Sequence, residues 1–167
     1  AKRHGARVNQ SCGGHVHIGM QKLDTARQRW RRFFKMIENY EECLYRAAGG
    51  DLGRIRSNAS HYAINFNQRA SMANRMAFRM DNEEDVRAMA ERVSNMNRYY
   101  GINLKNIATD RAPTVEFRYF NGSLNPKQIQ ANIKLAAGII NASEKSRWRD
   151  TDDENYKKRG QILKNTN

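Results

Sequence analysis

The chain of 167 residues is long enough for one domain of ordinary size and too short for two that each bury a separate core. Thirty Lys and Arg against seventeen Asp and Glu give a net charge of +13, while 39% hydrophobic residues are enough for a packed interior, which excludes a wholly disordered basic chain. No apolar run approaches the roughly 20 residues of a membrane span, and Cys12 and Cys43 are too few for a disulfide framework. The expectation is therefore a cytoplasmic protein in a reducing compartment, without a membrane partner.

The basic excess is concentrated early, because residues 1–35 carry nine Lys and Arg against Asp24 alone. Twenty of the thirty cations are arginine. Its planar fork pairs bidentately with phosphate and carboxylate, so anionic partners are expected, either a nucleotide or a nucleic acid.

After this basic opening, Gly13-Gly14 leads into His15-Val16-His17-Ile18-Gly19-Met20, whose period-two alternation predicts a strand with Val16 and Ile18 on one face and His15 and His17 on the other. Thr25 with Gln28 forms a candidate capping box, followed by Trp30, Phe33, Phe34, Ile37, Leu44 and Ala48 at helical spacing until Gly49-Gly50. Arg27, Arg31, Arg32, Lys35, Glu41 and Glu42 are assigned to the opposite, polar face of that helix. From 51 to 67 there is no clean period, which predicts a loop with a short extended piece near His61 to Ile64. Met72, Met76 and Met80 then suggest a short packed helix. A stronger helix should follow, capped by Asp81 or Asn82, with Val86, Met89, Val93 and Met96 inward and Gly101 closing it.

Ile102-Asn103-Leu104 is a short strand candidate, and Pro113 to Phe120 a longer one, with Val115, Phe117 and Tyr119 on one face and Thr114, Glu116, Arg118 and Phe120 on the other. Asn121-Gly122 turns the chain. Asn125 as cap and Pro126 at the first helical position then open a helix that Ile129, Ile133, Leu135, Ala136, Ile139 and Ile140 sustain to about Asn141. The polar, charged remainder is read as a loosely docked tail.

Two predicted strands each present a chemical pair on one face: His15 with His17, and Glu116 with Arg118. Each pair alone has an ordinary reading, exposed imidazoles in one case and a salt bridge in the other. If the strands neighbour each other, an imidazole and a carboxylate converge at a spacing suited to a divalent cation, and the second histidine and the guanidinium are left to hold phosphate oxygens. Cys12, His15 and His17 offer a zinc-like triad, but no fourth ligand is evident. No P-loop, nucleophile elbow or His-Glu-x-x-His motif occurs.

The segments Cys12-Gly13-Gly14-His15-Val16-His17-Ile18-Gly19 and Thr114-Val115-Glu116-Phe117-Arg118-Tyr119-Phe120-Asn121-Gly122-Ser123-Leu124-Asn125, followed by a long helix, resemble the amidoligase family of the glutamine synthetase-like carboxylate-amine ligases. The likeness extends over about residues 7–142. It implies an α+β fold, an antiparallel sheet packed by helices, as the C-terminal part of such a catalytic domain across residues 1–142, with 143–167 as the tail. It also implies an ATP-dependent ligase that activates a carboxylate as an acyl phosphate for attack by an amine, forming an amide or isopeptide bond, with peptide or protein among the substrates.

On that resemblance His15 and Glu116 would ligate Mg2+, and His17, Arg118 and Arg56 (or Arg54) would contact the ATP phosphates. Glu116 and Arg118 would be catalytic, Arg118 by stabilising the transferred phosphoryl group. Asn103, Asn121 and Asn125, with Tyr99, would line or brace the substrate site. The superfamily's Glu-x-Glu magnesium motif, normally upstream of His-x-His, does not occur. The expectation is thus that a missing N-terminal segment or a second chain completes the enzyme. The alternative expectation is a non-catalytic basic protein that retains the fold and binds nucleic acid or an assembly partner, through the early charge, the cluster from Arg27 to Arg32 and Lys157-Lys158-Arg159.

Overall fold

The structure is a computed structural model that describes residues 2–9, 11–23, 26–50, 55, 59–66, 85–107 and 112–145. Its frame is a three-stranded antiparallel sheet in the order β1 (Gly13–Gly19), β3 (Thr114–Asn121), β2 (Ile102–Asn103). The helices are α1 (Arg27–Ala47), α2 (Ala59–Tyr62), α3 (Val86–Met96) and α4 (Pro126–Lys145). This is the α+β class expected from the sequence.

β3 occupies the centre because it alone buries side chains on both faces. Val115, Phe117 and Tyr119 point into the core, where Phe117 meets the edge of Phe33 at 6.3 Å between ring centres. Trp30, Phe33, Phe34 and Ile37 of α1 are fully buried, as their helical spacing requires. Burying an aromatic or branched side chain of this size contributes about 1.5–3 kcal/mol, so the α1 stripe and the inner face of β3 supply a large share of the core's stabilisation. α4 packs against α1 and against β1.

The register between β1 and β3 slips between Gly14 and Val16, where Arg118 and Tyr119 together span the length that His15 spans alone. Such a bulge changes which way the following side chains face. Phe120, expected beside Glu116 on the polar face, is consequently buried. At Gly101 a Cβ would stand 2.2 Å from the Tyr119 ring, so only glycine lets β2 approach β3 here. Gly50, at φ 54°, takes the left-handed turn that ends α1.

Several other expectations are corrected. Glu41 is not on a solvated face: it is 2% exposed, and its Oε1 accepts the Tyr119 hydroxyl at 2.9 Å and the Phe66 amide at 2.7 Å. Burial, with the charge of Glu41 next, raises the Tyr119 pKa well above its usual value. His61 and Tyr62 lie in the helical turn α2 rather than an extended piece, and Ile64 forms a single parallel bridge with Tyr100. Asp85 accepts from the Arg87 and Ala88 amides and so caps α3, whereas Asp81 and Asn82 lie outside the described residues.

Thr25, the Met72 to Met80 stripe and residues 146–167 also lie outside the described residues. α1 starts after Ala26 without a side-chain cap. α4 starts as expected, with Asn125 Oδ1 accepting the Lys127 amide, and runs on to Lys145. Along α4, Ala136, Ile139 and Ile140 are buried while Ile129 and Ile133 remain exposed.

Arg32 is not available to solvent partners either. Its Nε and Nη2 donate to the carbonyls of Ser143 and Glu144 at 2.8 and 2.9 Å, satisfying the last turn of α4. Replacing Arg32 with Ala should therefore lower stability by about 1–3 kcal/mol in urea unfolding, the cost of leaving part-buried carbonyls unmatched. A change no larger than that of Arg27→Ala, at an exposed position, would show that the capping contributes nothing.

Candidate active site

The second face of the sheet, turned away from the aromatic core, carries the chemistry. Antiparallel register sets His17 of β1 and Asn103 of β2 directly on either side of Glu116 of β3, so three strands place one side chain each in a single row. His15 and Arg118 complete the group at the bulge. Glu116 Oε1 lies 2.9 Å from His15 Nδ1 and 2.9 Å from Arg118 Nη1, and Oε2 accepts Asn103 Nδ2 at 2.6 Å. His17 Nε2 stands farther off, at 3.8 Å.

Glu116 is only 6% exposed. Burial alone raises a carboxyl pKa, but the hydrogen bonds from His15 and Asn103 and the charges of Arg118 and His15 outweigh it and hold Glu116 at about 2, down from 4.5. Glu116 is thus an anion throughout the physiological range. It can attract a cation or orient a donor, and it is too weak a base to take a proton from an amine.

Neighbouring groups fix the orientation of these side chains. Arg118 Nε donates to the Tyr62 carbonyl at 3.0 Å, and its guanidinium lies 5.7 Å from the centre of the Tyr99 ring. His17 Nδ1 is 3.2 Å from Thr114 Oγ1 and 3.3 Å from Asn106 Nδ2, and Asn106 in turn donates to Thr114 at 3.0 Å. Asn103 Oδ1 accepts the Lys105 amide, which starts the one-turn helix that carries Asn106.

The remaining expected residues are placed elsewhere. Asn121 donates to the Gly49 carbonyl at 3.1 Å, tying β3 to the end of α1, and it lines with His15 a cleft of ≈ 290 Å3 between β1 and α4. Asn125 serves as the α4 cap. Arg54 and Arg56 lie outside the described residues. Cys12 Sγ faces Asn9 Oδ1 at 3.4 Å, and no zinc-like triad forms. Among the described residues, no group of three or more His, Cys, Asp and Glu side chains is arranged to hold a metal ion.

Residues 1–140 match the family model described as "Putative amidoligase enzyme". The chain belongs to the amidoligase family. No curated protein and no solved structure matches it. The site face of this amidoligase therefore has to be read from its own geometry. That geometry adds Asn106, Thr114 and Tyr62 to the residues singled out from sequence. Thr114 had a visible signal, two positions before Glu116 on the same strand face. Asn106 had none, because a one-turn helix has no period to read, and Tyr62 contributes its backbone carbonyl, which no side-chain pattern reports.

The depressed carboxyl gives this amidoligase a defined acid response. Because the folded pKa of Glu116 is below the unfolded one, the stability it contributes is complete above pH 4.5 and is lost as the pH falls towards 2. Urea midpoints measured from about pH 5 downward should fall more steeply for the wild type than for Glu116→Gln. The variant should remain folded at pH 7 by circular dichroism, with a lower midpoint. Parallel curves for the two proteins would exclude Glu116 as the titrating group.

Proposed function

We propose that the chain carries part of the active site of an ATP-dependent carboxylate-amine ligase. Membership of the amidoligase family supports a ligase function. The observation that supports the finer reading is the convergence of His15, Glu116 and Arg118, from strands about a hundred residues apart, on one buried carboxylate oxygen. A core needs no such group on the face opposite its apolar side chains, whereas phosphoryl transfer needs fixed cationic and metal-binding groups more than it needs covalent chemistry.

In this reading a carboxylate oxygen of the substrate attacks the terminal phosphorus of ATP, ADP leaves, and the acyl phosphate forms. An amine then attacks the acyl carbon, phosphate leaves with its bonding electrons, and the amine nitrogen loses a proton as the amide or isopeptide bond closes. Arg118, held at Nε and Nη1, keeps a positive charge beside the transferred group. Asn103 holds Glu116, and the His17, Thr114 and Asn106 cluster offers hydrogen-bonding groups to the incoming substrate.

In this reading one imidazole nitrogen and one carboxylate would supply part of the shell of a divalent cation. His15 Nδ1 and Glu116 Oε1, 2.9 Å apart and hydrogen-bonded to each other in this structure, would exchange that bond for the metal. Mg2+ held there would offset charge on the ATP phosphates, with phosphate oxygens and water filling the other positions. The alternative, a basic scaffold for nucleic acid, loses one arginine of its Arg27 to Arg32 cluster, since Arg32 is spent on the end of α4.

Isothermal titration with ATP should show binding in magnesium that weakens by roughly tenfold or more when the metal is chelated, because two protein ligands are too few without phosphate oxygens. Glu116→Gln should reduce that metal dependence. Arg118→Lys should lower ATP affinity, since an ammonium cannot reproduce the planar fork. Equal affinity with and without metal would remove the shared site.

A further inference from the structure

The site face is chemically lopsided along β3. At the Thr114 end, the described groups around Glu116 are small hydrogen-bonding side chains: Thr114 itself, Asn106 and His17. At the Arg118 end they are aromatic and cationic. The Tyr99 ring lies 5.7 Å from the Arg118 guanidinium and 4.8 Å from that of Arg98, whose Nη2 also donates to the Tyr99 hydroxyl at 2.6 Å. Tyr62 meets Tyr99 edge to face at 5.7 Å, and its own carbonyl is the anchor for Arg118 Nε.

Within this cluster Tyr62 is 48% exposed, while its backbone carbonyl is tied directly to Arg118. Tyr99 is only half-buried beneath it. The two guanidinium groups hold the Tyr99 ring in place and add positive charge beside an open aromatic face. That combination suits a flat heteroaromatic ring attached to an anionic chain, because stacking uses the face of the tyrosine while the chain's negative charge runs towards the arginines.

We infer that Tyr62, backed by Tyr99, is the stacking surface for the base of the bound nucleoside triphosphate, which sets the nucleotide with its base at the Arg118 end of the site and its terminal phosphate beside Glu116. This rests on the nucleotide reading given above and adds an orientation to it. Arg118 lies between Tyr62 and Glu116: the Tyr62 and Tyr99 ring centres are 5.7 Å apart, the Arg118 guanidinium is 5.7 Å from the Tyr99 centre, and its Nη1 is 2.9 Å from Glu116 Oε1. The carboxylate and amine are left with the opposite end, where Asn106, Thr114 and His17 supply hydrogen bonds suited to small polar groups.

The test compares ATP with inorganic triphosphate, both in magnesium, by isothermal titration on the full chain. Wild type should bind ATP more tightly than triphosphate. Tyr62→Ala should lose roughly tenfold or more of its ATP affinity, the usual effect of removing one base-stacking ring, and leave triphosphate affinity unchanged. Tyr62→Phe, which keeps the ring face, should restore ATP binding. The proposal is overturned if wild type binds triphosphate as tightly as ATP, a comparison that needs no variant. It is equally overturned if Tyr62→Ala leaves ATP binding intact or weakens both ligands alike. Absence of ATP and triphosphate binding in the wild type would instead overturn the nucleotide reading itself, and the orientation with it.

Discussion

Glu116 keeps a full negative charge while almost withdrawn from water, and the sheet has to be assembled in one way for that to be tolerable. An unmatched carboxylate at this depth would cost several kcal/mol. Here its two oxygens are matched from three strands: His15 from β1, Asn103 from β2 and Arg118 from β3 itself. Exchanging the strand order or slipping the register by one residue would turn His17 or Asn103 to the apolar side and leave the charge without partners. The site and the topology therefore impose the same constraint.

A second buried carboxylate stands on the other side of β3. Glu41, from the middle of α1, receives the hydroxyl of Tyr119 and the amide of Phe66, so it ties the long helix to the central strand and to the segment after α2. Tyr45 reinforces this by donating its hydroxyl to the Ala63 carbonyl and meeting Tyr119 edge to face at 4.8 Å. The last residue of α2 supplies the Tyr62 carbonyl that fixes Arg118. The inner polar network thus braces the outer one through a few residues of chain, and damage at Glu41 would be felt at Arg118 without any direct contact between them.

The large positive charge divides into parts with different uses. Arg118 pairs with Glu116, Arg32 closes the end of α4, and Lys22 pairs with Glu144 at 3.3 Å at the same junction. Placing cations at a helix C-terminus is favourable both for the unmatched carbonyls and for the helix dipole. This accounts for Arg32, an arginine early in α1 that is unfavourable for the N-terminal end of α1 itself and favourable for the end of α4.

Much of the architecture was legible because it depends on periods short enough to read along the chain. Alternation in His15 to Ile18 and Thr114 to Tyr119 marked two strands and their chemical faces, and the spacing of Trp30, Phe33, Phe34 and Ile37 marked the buried side of α1. Asn125 and Pro126 marked the start of α4. What the sequence by itself determined was therefore which residues share a face, since that follows from local geometry. Only the tertiary structure decided what each face meets. Glu41 reads as one of a polar pair with Glu42, and it is buried because Tyr119, 78 positions away, offers a hydroxyl to match it. Phe120 reads as belonging beside Glu116, and a bulge opposite His15 turns it inward. In each case the deciding partner lies far along the chain, and no local period records how distant segments come into register.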